Sequence, residues 1–369
     1  MKDGNKLRAA SRRAVVKGGI ALAALPLATV FTKRASAQGR PVTKVLDFTT
    51  GADVAKAEAE GEFLFYTHDS EPAGASVVEA FTKDFPKIKG KYVRAQNSTL
   101  FTRTIAERSA NKFGADVIQF SEPATALDFQ KRGGYSRYVS PQSEFYAAEH
   151  LSDPVGDYFW IGVTFVGLAY NTEKVKPEDA PKEWKDILKP VWANGANVKM
   201  SNSGMQFVQW YELRKLYGDK FWSEFAKLKP RGFDSRAQQF ERLAKGDERI
   251  CVLAEYAGYL LVKDKGAPVE FVAPADGLPA APLLCGIADR GSSPEASRLF
   301  IDWQMSLRGQ NHQQTNPYLY YGSVRKDAPP MPGGKRLADY KLLSPTKEMD
   351  AFIASRDSFN KEWNAMLGL

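Results

Sequence analysis

The stretch DVIQFSEP, residues 116–123, decides the fold class. Residues 116–120 have the length and apolar content of a buried strand, and they are followed at once by small polar residues and a proline. Proline is favoured in the first turn of a helix, so the same stretch predicts a strand that passes directly into a helix. That helix is expected to end at the two glycines 133–134.

The same order recurs on both sides of this stretch. Strands are predicted at 63–66 and 91–95, each followed by a helical pattern, with helices carrying Val78, Phe81 and Phe85 and then Phe101 and Ile105. Alternating strands and helices predict an α/β fold with mostly parallel sheets and helices on both faces. In such sheets, ligands bind beyond the carboxyl ends of the strands.

A second series of elements follows from about residue 160. Further strands are predicted at 161–170, 198–200, 249–254, 269–272 and 283–288. Helices are predicted after the loop 201–204, after Ser235, and at 256–265, 295–306 and 347–366.

The composition excludes several classes of protein. The 369 residues are 43% hydrophobic and 25% charged, which is typical of globular proteins and long enough for two domains. The net charge of +8 lies almost entirely in residues 1–37, which hold eight basic residues and one acid; the remainder has 43 basic and 42 acidic residues. This nearly neutral body gives no reason to expect a nucleic-acid partner. No apolar run is long enough for a polytopic membrane protein.

Residues 1–37 have the three parts of an export signal: a basic start, an apolar segment from 18 to 31, and the Ala-Ser-Ala site at 35–37. The pair Arg12-Arg13 resembles a twin-arginine signal, which implies the twin-arginine export machinery as a partner and a periplasmic location. We predict cleavage after Ala37; an uncleaved anchor is the alternative.

Cys251 and Cys285 lie in apolar runs and are expected to be buried, with a disulfide between them as the alternative.

Nucleotide-binding and catalytic signatures such as GxGxxG, GxxxxGK[ST], HExxH and GxSxG are missing from the sequence, and an enzyme is therefore not expected. What recurs is a strand followed by small polar residues and a helix. Helix N-termini expose N–H groups that bind anions, so several of them facing one cleft would form a ligand site. For any one of them, plain helix capping is the alternative. The residues singled out in this way are Thr67, His68, Ser98, Ser121, Glu122, Ser201, Ser203 and Ser235.

Several motifs make the body of the chain, approximately residues 60–320, resemble the periplasmic solute-binding proteins of ABC importers, in their ferric-iron-binding branch. The motifs lie at 65–67, 115–117, 121–124, 168–172, 184–188, 288–289, 293–296 and 300–310. The resemblance implies a two-lobed, type II-like periplasmic-binding-protein fold that closes on its ligand by a hinge. It implies lobe 1 at 38–157 and 275–320, lobe 2 at 158–274, and a C-terminal tail with a docking helix at 321–369. It also implies ABC permease subunits as partners and a monomeric state.

In members of this family that bind bare iron, the ligands are a histidine after the first strand, a glutamate after the third, and two adjacent tyrosines after a late strand. His68, Glu122 and Tyr256 lie near these positions, but Ala257 replaces the second tyrosine. The resemblance also implies that Ser201, Ser203, Ser235 and Arg236 lie where the family holds a synergistic anion. Arg236 would bind a carboxylate or phosphate through its planar guanidinium, or else form a surface salt bridge.

The sequence therefore predicts an extracytoplasmic solute-binding subunit of an ABC importer. Its cargo is ferric iron, chelated iron or a small anion, and iron would be cargo rather than a cofactor. One alternative is a metal-free binding protein for an organic acid, a phosphonate or a sugar phosphate. Another is a secreted enzyme that uses the same cleft.

Overall fold

The computed structural model describes residues 39–200 and 204–368, so the predicted signal segment and Ser201–Ser203 lie outside the described residues. The strands are β1 (Thr43–Val45), β2 (Phe48–Thr50), β3 (Glu62–Thr67), β4 (Lys89–Arg94), β5 (Val117–Phe120), β6 (Phe159–Asn171), β7 (Ala196–Lys199), β8 (Arg231–Phe233), β9 (Ile250–Glu255), β10 (Val269–Val272), β11 (Leu278–Ile287) and β12 (Leu342–Leu343).

The helices alternate with these strands through most of the chain. They are α1 (Val54–Glu60), α2 (Glu71–Asp84), α3 (Asn97–Ser109), α4 (Pro123–Lys131), α5 (Gly204–Tyr217), α6 (Phe221–Ala226), α7 (Arg236–Lys245), α8 (Tyr256–Lys263), α9 (Pro294–Met305), α10 (Leu307–Thr315), α11 (Met349–Ala354) and α12 (Arg356–Leu367). Within the described ranges, every helix is too short or too polar to cross a membrane.

The main sheet has the strand order β4-β3-β5-β11-β6-β9-β7-β8, and β10 pairs with β6. The strands β3, β4 and β5 are parallel to one another, and so are β7, β8 and β9. We call the part around β3–β5 the first lobe and the part around β7–β10 the second lobe. The long strand β6 belongs to both, because it pairs with β11 near its start and with β9 and β10 near its end.

Each lobe has helices on both faces of its sheet, as predicted. In the first lobe, α2 and α9 pack on one face through residues such as Phe81 and Phe300, and α3 and α4 pack on the other. In the second lobe, α5, α6 and α12 cover one face around Trp210 and Trp363, and α7 and α8 cover the other. Burial of these aromatic side chains is the main favourable contribution to each core.

The strand directions place the carboxyl ends of the two lobes opposite each other. Both β5 and β6 are antiparallel to β11, so β5 runs in the direction of β6, from the first lobe towards the second. Because β9 is antiparallel to β6 and parallel to β7, both of these strands run back towards the first lobe. The residues that follow β3 and β5 therefore face those that follow β7 and β9, which is where a ligand site is expected.

Three local predictions were wrong or incomplete. The C-terminal helix predicted at 347–366 is two helices, α11 and α12, separated at Ser355, whose hydroxyl donates to the carbonyl of Phe352 at 2.7 Å. The polar residues 97–99 were expected to provide the N-cap of the helix after β4, but α3 already begins at Asn97, and its N-cap is Gln96. The strand predicted at 283–288 begins earlier, at Leu278. Both cysteines are buried in strands, as predicted, and they are free thiols rather than a disulfide.

Candidate functional site

The first part of the candidate site is the turn after β3. Thr67 is buried, and its hydroxyl oxygen accepts a hydrogen bond from the backbone N–H of Asp69 at 3.1 Å. This bond folds the chain back so that the side chains of His68 and Asp69 lie together, with His68 Nε2 3.4 Å from Asp69 Oδ1. Burial lowers the pKa of His68, and the Asp69 carboxylate acts in the opposite direction.

Asp69 is the centre of a buried polar cluster. Its side chain is 2% exposed and accepts a hydrogen bond from Gln119 Nε2, in β5, at 3.1 Å. The hydroxyl of Tyr321 donates to the other carboxylate oxygen. Burial raises the pKa of Tyr321 far above its usual value, and the adjacent Asp69 carboxylate raises it further. The phenol is therefore a neutral donor, which suits a buried carboxylate that must have hydrogen-bond partners.

The second part of the site is the end of β5. The side chain of Asn97, at the start of α3, accepts a hydrogen bond from the N–H of Ser121 at 3.0 Å and donates to Thr125 Oγ1 at 2.9 Å. Asn97 thus fixes the turn that presents Ser121 and Glu122. Ser98, by contrast, is exposed on the first turn of α3.

Glu122 is the N-cap residue of α4, but its side chain makes no capping hydrogen bond. Its carboxylate lies close enough to His68 to act on the pKa of the imidazole. The structure therefore brings Thr67, His68, Ser121 and Glu122 to neighbouring strand ends of the first lobe.

In the second lobe, Ser235 and Arg236 already have partners within the chain. The Ser235 side chain caps α7 by accepting from the N–H of Gln238 at 3.2 Å. Arg236 Nη1 lies 2.8 Å from Glu255 Oε2, so the local charge of the guanidinium is balanced by a carboxylate. Both members of this pair act electrostatically on the pKa of Tyr321, which places them near the Asp69 cluster.

Tyr256 does not join these residues. Its side chain is 3% exposed, stacks on Phe165 at 5.0 Å, and donates a hydrogen bond to the carbonyl of Pro332 at 2.8 Å. Burial raises its pKa, which disfavours the phenolate that ferric iron would need. Tyr256, the first residue of α8, has its side chain in the hydrophobic core, although the side chain of the preceding residue, Glu255, is directed towards Arg236.

Of the predicted metal-ligating residues, the structure brings His68 and Glu122 near each other, whereas the hydroxyl of Tyr256 is hydrogen-bonded to Pro332. Among the described residues, no group of three or more histidine, cysteine, aspartate or glutamate side chains is arranged to hold a metal ion. Ser201 and Ser203 lie outside the described residues, immediately before α5. Whether any of the predicted residues binds a ligand stays a prediction.

Sequence reasoning missed Gln119 and Tyr321. Gln119 lies in the middle of an apolar strand, where a polar residue is itself a signal, because buried amides must find partners. For Tyr321, the available signal was the pair of adjacent tyrosines at 320 and 321. No local pattern connects that pair with Asp69, since the contact spans 252 positions of the chain.

A separate cavity of about 340 Å³ lies against the strands that join the lobes. Val163, in β6, lines this cavity, whereas Tyr321 packs against the preceding residue, Gly162. Consecutive residues of a strand face opposite sides of the sheet. The cavity thus lies on the other face of β6 from Tyr321. Its lining residues are Glu149, His150, Trp160, Val163, Ala280, Pro282, Leu342, Ser344, Thr346 and Lys347, and none of them is a predicted site residue.

Residues 115–338 match the family model of the bacterial extracellular solute-binding proteins. The chain belongs to this family. The match begins just before β5 and includes β6 to β11, so it contains Ser121 and Glu122 of the first lobe and the described residues of the second-lobe group, whereas Thr67, His68 and Asp69 precede it. It ends before α11 and α12, the two helices at the C-terminal end of the described chain.

Solved structures of solute-binding proteins share the fold. Iron-bound HitA from Pseudomonas aeruginosa is 19% identical, with a TM-score of 0.66, over 80% of this chain and 99% of HitA. AfuA from Actinobacillus pleuropneumoniae, solved with exogenous fructose-6-phosphate, is 20% identical, with a TM-score of 0.66, over 84% of this chain and 99% of AfuA. The substrate-binding protein of an ABC transporter from Agrobacterium tumefaciens is 17% identical, with a TM-score of 0.68, over 83% of this chain and 94% of that protein.

These likenesses show that the extracellular solute-binding protein described here has the two-lobed fold of periplasmic binding proteins, as the sequence predicts. The family is one of binding proteins rather than enzymes. The three solved relatives include one described with iron and one described with a sugar phosphate, so the shared fold accommodates both kinds of cargo.

Proposed function

We propose that this protein captures a small anionic solute between its lobes and delivers it to the membrane subunits of an ABC importer. The observation that carries the proposal is the polar cluster around Asp69. It joins strand ends of the first lobe, through His68 and Gln119, to Tyr321 and to the nearby Arg236–Glu255 pair of the second lobe. A ligand that contacts both sides at once would favour the closed arrangement of the lobes.

Two features favour an anion over a bare ferric ion. Tyr256, the one phenol of the predicted iron-binding set, is engaged in the core through Phe165 and Pro332, which disfavours it as an iron ligand. The strand-end turns also present backbone N–H groups at the starts of α4 and α7, a geometry that suits carboxylate or phosphate oxygens. Iron could still enter as a complex with such an anion.

The direct test is to denature the protein purified from its native host and to identify the released solute by mass spectrometry, with metals measured in parallel. We expect a small acid or phosphate ester in stoichiometric amount. Small-angle scattering of the stripped and reloaded protein should show a smaller radius of gyration with ligand. An unmodified scattering profile and no released solute would contradict the proposal, and a chemically altered product would favour the enzyme alternative.

We also propose that the chain reaches the periplasm through the twin-arginine pathway, supported by Arg12-Arg13 and the Ala-Ser-Ala site at 35–37. Replacing both arginines with lysine should leave the protein in the cytoplasm with its full mass. The exported wild-type protein should begin at Gln38. Continued export of the double lysine variant would contradict this route.

A further inference from the structure

Arg356, the first residue of α12, is held against an aromatic surface. Its guanidinium carbon lies 4.0 Å from the centre of the Phe207 ring in α5. Phe207 is buried and stacks in turn on Phe352 at 4.1 Å. A guanidinium stacked through its face keeps the N–H donors at its edge available for hydrogen bonds in its own plane.

Within residues 39–200 and 204–368, Arg356 has no carboxylate at ion-pair distance and no hydrogen-bond acceptor. Two other stacked arginines differ in this respect. Arg214, over Trp210, pairs with Asp219, and Arg325, over the ring of Phe145, pairs with Asp327 at 2.6 Å. Stacking alone therefore does not explain an unpaired guanidinium. Burial lowers the pKa of Arg356, so the site bears the cost of a partly desolvated charge.

The position of Arg356 is at the boundary between the lobes. Met205, at the start of α5, has its sulfur 3.3 Å from the hydroxyl of Thr164 in β6, and Phe207 lies two residues later in the same first turn. From the first lobe, the Glu122 carboxylate is near enough to act on the guanidinium of Arg356. Arg356 thus approaches the strand ends of the first lobe from a helix that lies beyond the family match, which ends at residue 338.

We propose that Arg356 binds an oxyanion, the phosphate or carboxylate group of the solute, and so makes the C-terminal helix pair part of the ligand site. The inference rests on the proposed function and names the group that the ligand must carry. Arg236 is already neutralised by Glu255, whereas Arg356 has no such partner among the residues that the structure describes. Glu122 can only accept hydrogen bonds when ionised, so it favours a solute that carries a hydroxyl group near the oxyanion.

The test is calorimetric titration of the stripped protein with inorganic phosphate, and separately with citrate, at constant ionic strength. We expect saturable binding by the wild type and at least tenfold weaker binding by Arg356→Gln. Arg356→Lys should be intermediate, because it keeps the charge but loses the planar pair of donors. The matched control is Arg336→Gln, which makes the same charge change at an exposed arginine paired with Asp339 and should bind like the wild type.

Equal affinities of the wild type and Arg356→Gln would overturn the inference, and so would a wild type that binds neither anion. If Arg356→Gln does not fold, as judged by circular dichroism, the lysine variant carries the comparison. The native solute separates this inference from the proposed function. If that solute is bound with the same occupancy in Arg356→Gln, the oxyanion subsite is wrong and solute capture stands.

Discussion

The hydroxyl of Tyr321 donates a hydrogen bond to a carboxylate oxygen of Asp69, and this contact links the C-terminal part of the chain to the turn that follows β3. Asp69 is buried, and its other partner on the side of the first lobe is Gln119 at 3.1 Å. A buried carboxylate needs several donors to offset its lost hydration. The phenol of Tyr321 is therefore part of what holds the Asp69 side chain in place between the lobes.

We expect Tyr321→Phe to lower the free energy of unfolding by about 1–3 kcal/mol, because one donor to a buried charge is lost. Solute affinity should fall about tenfold, since the cluster that faces the second lobe loosens. The checks are urea unfolding and retention of the native solute in mass spectrometry.

The neighbouring Tyr320 provides the control. Its hydroxyl donates to Asp264 at 2.6 Å, away from the Asp69 cluster, so Tyr320→Phe should leave solute retention unchanged. A loss of retention in both variants, or in neither, would show that the Asp69 cluster has no special role in binding.

Tyr256→Phe is expected to have a small effect on binding. It removes the hydrogen bond to the Pro332 carbonyl and should cost about 1 kcal/mol of stability, while solute occupancy stays at the wild-type level. For the same reason, the wild-type protein mixed with ferric iron should not develop the visible absorption band of an iron–tyrosinate bond. A strong band that disappears in Tyr256→Phe would restore the direct iron site that the sequence suggested.

Much of the fold was predictable because hydrophobic periodicity and turn residues agree along the chain. The strand β10 was predicted with its observed ends, Val269 and Val272, since it lies between clear loop signals. The start of β11 was missed because Pro279 and Pro282 argue against a strand. Pro282 is tolerated because the opposite residue, Val163, exchanges its backbone hydrogen bonds with Gly322 at 2.9 Å and needs none from proline.

The site was less predictable than the fold. Strand-end residues such as His68 and Glu122 are visible in the sequence, since they follow apolar runs. Tyr321 meets Asp69, and Arg356 meets Phe207, through tertiary packing, and neither contact has a local pattern that indicates it. The surroundings of Tyr256 were not predictable, because sequence position cannot show that a side chain packs in the core while its neighbour, Glu255, faces Arg236.

Asp302 is expected to make the stability of the folded chain depend on pH. This buried carboxylate accepts hydrogen bonds from Thr50, Tyr138 and Ser140 and from the N–H of Gly51, yet burial raises its pKa to about 6. A raised pKa means that the folded state binds the proton of Asp302 more tightly than the unfolded state does. The protonated acid therefore contributes fully to stability below the unfolded-state pKa near 4, and this contribution is lost as the pH rises through about 6. The loss should be about 3 kcal/mol.

The measurement is the free energy of unfolding of the wild type and of Asp302→Asn from pH 4 to pH 7. The variant is expected to be less stable throughout, because its amide nitrogen cannot accept the donors that surround it. Its free energy of unfolding should not show the decline with pH that is assigned to Asp302. The difference in the free energy of unfolding between the two proteins should therefore shrink as the pH rises. Parallel pH profiles would show that Asp302 stays ionised across this range.

The Arg236–Glu255 pair gives the last prediction, on the charge of the site. The two side chains are 2.8 Å apart, and both lie near Tyr321, so Glu255 cancels a cation that would otherwise attract an anionic solute. Glu255→Gln should strengthen phosphate binding roughly threefold to tenfold, because the guanidinium of Arg236 is then unopposed. Asp339→Asn makes the same charge change beside the exposed Arg336 and should leave the affinity unchanged. Weaker phosphate binding by Glu255→Gln would mean that the carboxylate itself contacts the solute, and that the cargo presents a cation or a hydrogen-bond donor at this point.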